Sequence, residues 1–281
     1  GMSVNSSGQL QMPFGAAVIP QGRLTLATGT PVMTSAQTGK TTLYYTAYIG
    51  NIVPVYNGSV WTLMTFSSDL SNVTTNSSVG NAGPAAVTTN SNYDLFVWSN
   101  SGTLTLTRGP AWTSDTARGT GAGTTQIAMQ NGIWTNAVAI TNGPSANQGT
   151  YVGTVRSDGS SQLNWQPGGG AAGGLAALLN VWNMYNRKNV LGIVYDTNTS
   201  WNYSSYAWRM ADNSSSMRAS FIQGIQEESF EASYFVNYLC SAQGPWAMGG
   251  IGIDSTTTPS GTSGLTSAPF VTWMRENQYL F

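Results

Sequence analysis

A serine or cysteine nucleophile needs a neighbouring base, most often histidine, and this chain contains no histidine. The same absence removes the commonest zinc ligand. The single cysteine, Cys240, sits in the apolar stretch Val236-Asn237-Tyr238-Leu239-Cys240. It reads as a small buried hydrophobe rather than a reactive thiol. A phosphate-cradling glycine loop continues into Lys and Ser or Thr, and the run Gly168 to Gly174 does not. No alternating-Asp calcium loop is present. The sequence therefore calls for no cofactor and no metal.

Paired carboxylates are the remaining route to catalysis, as in a glycosidase. Glu227, Glu228 and Glu231 form the densest acidic cluster. On a strand, Glu227 and Glu231 share a face but lie about 13 Å apart, beyond the roughly 5–9.5 Å of glycosidase pairs. A partner from elsewhere, Asp196 or Asp254, would be needed. A glycan-degrading hydrolase is the alternative to a binding protein.

Aromatic residues offer a different chemistry. An exposed ring stacks on the face of a sugar while neighbouring amides and hydroxyls bond to its hydroxyl groups. Trp201, Asn202, Tyr203 and Ser204 combine these types. We expect Trp201 and Tyr203 as stacking rings, with Asn202 or Ser204 as hydrogen-bonding neighbours. A straight strand would point the rings to one face and the polar pair to the other. The site therefore requires a loop or bulge, for which 198–200 and 204–205 are suited. The competing expectation is that Trp201 and Trp208 anchor a core. A second aromatic group is Tyr44, Tyr45, Tyr48, Tyr56 and Trp61.

The elements that position these residues are mostly strands. Leu43 to Ile49, Ile52 to Tyr56 and Val60 to Phe66 are rich in β-formers, and Asn57-Gly58 between the last two predicts a hairpin. Pro54 marks an edge or a bulge. A second hairpin is expected from Tyr93 to Thr107 around Asn100-Ser101-Gly102, and a third from Ile127 to Ile140 around Asn131-Gly132. Residues 67–92 read as a long loop or two weak strands. Leu175, Leu178, Leu179, Trp182 and Tyr185 fall at helical spacing, predicting one short helix at 174–187. Strands return at 190–195, 201–210, 217–226, 229–240 and 246–253. From 229, Phe230, Ala232, Tyr234 and Val236 share one face. The aromatic end near Phe270 to Trp273 is expected to dock on the body.

This gives a mostly β chain, in antiparallel β-sandwich or jelly-roll modules. The organisation expected is an N-terminal arm at 1–22, a β-rich module at 23–166, a Gly-rich linker at 167–174, and a sandwich-like module with a leading helix at 175–281. Of the 281 residues, 7% are charged and the net charge is −1, against an average near 25% charged. The basic residues are scattered, so nucleic acid is not an expected partner. No run approaches the ~18 apolar residues of a membrane helix. Ser, Thr, Asn, Gln and Gly fill the polar positions, a surface common in virion fibres and adhesins.

Two stretches carry a family resemblance. One is Arg23 to Leu26 with Thr28-Gly29-Thr30-Pro31-Val32, Leu43 to Thr46, Gly50, Tyr56-Asn57-Gly58 and Trp61. The other runs from Trp182-Asn183 and Tyr185-Asn186-Arg187 through Trp201, Tyr203 and Trp208 to Ala211, ending at Gly250 to Thr256. Together they resemble structural proteins of tailed phages and prophages, including the head spikes or fibres of gene transfer agents. The resemblance implies a virion location after assembly in the bacterial cytoplasm. It also implies contact with other virion proteins and host-surface polysaccharide, and it carries no catalytic residues. We expect an accessory spike, fibre or decoration protein, not an enzyme. A homo-oligomer, a trimer, is expected from the charge-poor surface and the arm.

Overall fold

The computed structural model describes residues 2–12, 18–76, 83–121, 123–205, 207–226, 229–238, 246–266 and 272–280, with backbone alone for 237–238, 246–248, 261–266 and 272–280. The chain is mostly β, and its one helical element among the described residues is the 3-10 turn Ala211–Asn213. It divides into two compact units. The first gathers Gly1–Gly169, Ala176–Val194 and Arg218–Gly224; the second gathers Gly170–Leu175, Tyr195–Met217 and Ile225–Phe281. The glycine run at 167–174 thus marks one crossing between units, and the chain afterwards returns twice to the first.

In the first unit, Asn92–Asn100 and Thr103–Ala111 form the longest hairpin. Asn92–Asn100 also pairs antiparallel with Thr150–Arg156, which joins Ile133–Asn136 and then Ile127–Gln130. A second sheet orders Ser3–Val4, Leu10–Met12, Trp61–Thr65 and Ile52–Tyr56. A third holds Gly22–Thr25, Thr42–Ala47 and Leu70–Val73. Gln37–Lys40, Leu163–Gln166, Ala177–Leu179 and Ala219–Phe221 make a fourth. All four contribute to the buried apolar surface: Leu24, Leu43, Val53, Leu95, Val97, Leu106, Val152 and Leu163 pack as one core, in layers consistent with a β-sandwich.

Local turn chemistry explains the hairpins. Ser101-Gly102 and Asn131-Gly132 both sit at positive φ, the geometry that matches a two-residue turn to strand twist. At the first hairpin only Gly58 is left-handed. Asn57 acts instead through its side chain, whose Oδ1 accepts the amides of Ser59 and Val60 at 3.0 and 2.9 Å. Pro54 lies on Ile52–Tyr56, an edge strand of its sheet.

The structure corrects several expectations. Residues 3–12 are not a free arm: they form a hairpin, Ser3–Val4 with Leu10–Met12, and extend the sheet through Trp61–Thr65. The helix expected at 174–187 is absent. Ala177–Leu179 and Val181–Asn183 are short strands instead. The first pairs with Trp165 and Gln166, and the second pairs with Thr150–Arg156. The supposed apolar face is also divided, since Trp182 is buried while Leu175 is exposed. A short apolar run serves a buried strand as well as a helix, and here waiting strand edges supply the backbone partners. Of the expected strands, 190–195 keeps only the pair at Tyr195–Asp196, 217–226 keeps Ala219–Phe221, and 201–210 keeps none among its described residues.

In the second unit, Gly170–Ala171 pairs in parallel with Tyr195–Asp196. Phe230–Tyr238 pairs with Thr272–Leu280, and Trp246–Ile251 with Gly261–Thr266, both antiparallel. Along the first of these, Phe230, Ala232, Tyr234 and Val236 are half-buried while Glu231, Ser233 and Phe235 are exposed, the alternation read from the sequence. Glu227, Glu228, Cys240 and the side chains of the aromatic end lie outside the described residues.

Candidate functional site

The four residues expected at a sugar-binding site lie together on one loop of the second unit. Residues 201–205 carry no regular secondary structure, so the alternation of a strand does not separate rings from polar groups. Trp201 is 37% and Tyr203 44% exposed, and Asn202 and Ser204 are exposed between and after them. A Trp with a third of its surface in water is not a core anchor.

The loop is shaped by its own residues. At its neck, Asp196 Oδ1 accepts the amides of Asn198 at 2.8 Å and Gly173 at 2.9 Å. The Asn198 side-chain amide donates to Asp212 Oδ2 at 2.7 Å, tying the two ends of the excursion. Asp212 and Asn213 take left-handed backbone angles, conformations that Asp and Asn tolerate. Compact loops with joined ends, packed by their own side chains, are frequently functional.

Inside the loop, the Arg209 guanidinium lies 4.0 Å from the Tyr203 ring centroid and 5.8 Å from that of Trp201. Its Nη2 donates to the Asn202 carbonyl at 3.1 Å, and the Tyr203 hydroxyl donates to the Ala207 carbonyl. A cation over an aromatic face within about 6 Å is attracted by the ring quadrupole. Arg209 thus fixes both rings relative to one another. The arrangement offers aromatic surface for stacking, and amide and hydroxyl groups for hydrogen bonding.

The other candidates resolve differently. In the first aromatic group Tyr45 and Trp61 are core, at 1% and 0% exposure, and Tyr44, Tyr48 and Tyr56 are half-buried. Among the acidic residues, Glu231 and Asp254 are exposed. Asp196 has Asp212 as its carboxylate neighbour, a pairing that sequence spacing did not single out. The amide of Asn198, joined by that of Gly173 and by Asp212, holds the Asp196 carboxyl below its usual range despite some desolvation.

Sequence reasoning also missed a buried polar cluster in the first unit. Asp94 is fully buried and receives Arg118 Nε at 2.7 Å, Thr154 Oγ1 at 2.7 Å and Thr125 Oγ1 at 3.1 Å. Tyr151 shares a 2.5 Å hydrogen bond with Thr154, and Arg118 stacks 4.3 Å from the Trp112 ring. Burial pushes the Tyr151 hydroxyl well above its ordinary range. Burial is the largest single influence on Arg118 and works to lower it, but the Asp94 charge and hydrogen bond, together with Tyr151, outweigh it and hold the guanidinium above its usual value. A phenol locked as an acid and a guanidinium locked as a cation move no proton near neutral pH. This cluster is a brace between strands.

No protein-family model matches the chain, and neither a curated protein nor a solved structure matches it.

Proposed function

We propose that this chain is a non-enzymatic accessory protein of a phage or phage-like particle, a spike, fibre or decoration, that contacts host-surface glycan through its 201–209 loop. One observation carries the binding reading: Trp201 and Tyr203 are exposed on a neck-tied loop, with Asn202 and Ser204 beside them. Large rings exposed next to polar groups suit sugars, which present one apolar face and a rim of hydroxyls. The charge-poor composition and the resemblance to phage structural proteins supply the virion setting. There the protein assembles in the bacterial cytoplasm with other virion proteins, as a homo-oligomer, a trimer. With residues 3–12 engaged in their own sheet, that assembly rests on surface other than a free arm.

The hydrolase alternative is less well supported. A glycosidase acid needs a raised pKa, and Asp196 is held low by its hydrogen bonds. Trp201→Ala tests the binding reading. An exposed stacking ring contributes little to stability, so the folding free energy stays within the range of surface substitutions, about ±0.5 kcal/mol, and the melting temperature is nearly unchanged, while adsorption to host cells is lost. Unfolding of this variant, or undiminished adsorption, would move the binding surface elsewhere.

A further inference from the structure

We infer that the glycan this loop takes is anionic, bearing carboxylate or sulfate groups, and that Arg209 contacts the anion. The inference rests on the glycan reading and adds the ligand's charge.

Arg209 is the cation among the exposed rings, and its setting separates it from other arginines of the chain. Arg118 and Arg156 are paired to Asp94 and Asp115. Arg108 is buried against backbone carbonyls. Arg209 forms no ion pair among the described residues; its hydrogen bond runs from Nη2 to the Asn202 carbonyl, and its Nε is buried without a partner. A guanidinium carries donors on all three nitrogens, so the terminal nitrogens retain unused N–H groups at the half-buried face of the loop. The Tyr203 ring 4.0 Å away and the bond to the Asn202 carbonyl hold the guanidinium in place. An oriented guanidinium edge matches a carboxylate or sulfate in a way a mobile lysine does not.

The loop's own carboxylates do not neutralise it. Asp196 and Asp212 stand at the neck, where Asp196 accepts the amides of Gly173 and Asn198 and Asp212 accepts the Asn198 side-chain amide. In a chain with 7% charged residues, a cation without an ion pair among the described residues, beside exposed rings, selects a ligand that brings the counter-charge. Neutral sugars would be served by the rings, Asn202 and Ser204 alone.

The test is affinity electrophoresis of the full chain through gels carrying one of four polymers: polygalacturonate, its fully methyl-esterified form, dextran sulfate and dextran. The ester and the plain dextran keep the sugars and remove the charge. The expected result is retention at least about tenfold stronger on a charged polymer than on its neutral counterpart, the scale of charge-assisted hydrogen bonds. Polygalacturonate ahead of dextran sulfate identifies the carboxylate as the anion, and the reverse order the sulfate. Arg209→Gln abolishes the preference, Arg209→Lys restores part of it, and Trp201→Ala weakens retention on charged and neutral polymers alike. Equal retention on charged and neutral polymers overturns the anionic inference and leaves the glycan reading standing. Retention on none of the four overturns both. A charge preference that survives Arg209→Gln assigns it to other cations and removes Arg209 from the site.

Discussion

Arg118 grips Asp94 with two nitrogens, Nε at 2.7 Å from Oδ2 and Nη2 at 3.1 Å from Oδ1, across 24 residues of sequence. The Asp94 side chain is wholly buried, and that of Arg118 is 18% exposed. Removing one partner leaves the other charge uncompensated. Asp94→Asn or Arg118→Met is therefore expected to cost about 3–5 kcal/mol, and the double variant less than the sum. Urea denaturation of the three variants measures this. A loss below about 1 kcal/mol for Asp94→Asn would show that solvent already compensates the pair.

Arg108 pairs with no carboxylate among the described residues. It is 1% exposed and donates to Asn72 Oδ1 at 2.6 Å, Val73 O at 3.0 Å and Ala85 O at 2.7 Å, with Asn76 O as a further acceptor. It ties Val73 and Asn76 to Ala85. Arg108→Met leaves these carbonyls without their donor, at about 1–3 kcal/mol for each one that water does not reach. We expect a correspondingly lower stability, read by urea denaturation. An unchanged urea midpoint would count against the staple.

Gly153 occupies a register shift in Thr150–Arg156, between the pairings of Tyr151 and Gly153. Its φ is +154, and a Cβ there would lie 2.1 Å from the Trp182 carbonyl oxygen and 2.8 Å from Leu24 Cδ1. Backbone cannot yield as a flexible side-chain tip does. Gly153→Ala is expected to destabilise by several times the roughly 0.4–1 kcal/mol by which Ala stabilises a compatible site. It should part Val181–Asn183 from its neighbour, seen as increased amide exchange at Trp182 and Asn183. Wild-type exchange there would refute this.

The pH profile follows from burial. Without histidine, stability should be nearly flat between about pH 5 and 9. Burial raises the hydroxyls of Tyr45, Tyr151 and Tyr185, the last to about 12. Above about pH 10 the unfolded chain loses these protons while the folded one retains them. Stability then falls by about 1.4 kcal/mol per pH unit for each group. Arg108 acts in the opposite sense: burial lowers it to about 10, so its cost is relieved over the same range. Three groups against one give a net loss. Denaturation midpoints measured at rising alkaline pH should drop, and Tyr45→Phe should reduce the slope. A midpoint that holds steady above pH 10 would mean these hydroxyls titrate normally.

The sequence by itself determined the β class and the positions of the hairpins, because both depend on neighbouring residues. Ser101-Gly102 and Asn131-Gly132 accept positive φ wherever they are placed, and Phe230 to Val236 alternates because a strand has two faces. It also determined that no histidine chemistry is available. It named Trp201, Asn202, Tyr203 and Ser204 from their types and required that they leave a strand.

Tertiary structure decided the rest. Whether 177–183 became helix or strand depended on Trp165 and Thr154 presenting free edges, since an apolar run is indifferent until a partner takes its backbone hydrogen bonds. The loop at 201–209 closes because Asn198 meets Asp212 and Arg209 meets Tyr203. The braces at Asp94 and Arg108 join residues 24 and 36 positions apart. Such pairs leave no periodic trace in a sequence, because only the folded chain brings their charges and acceptors within reach.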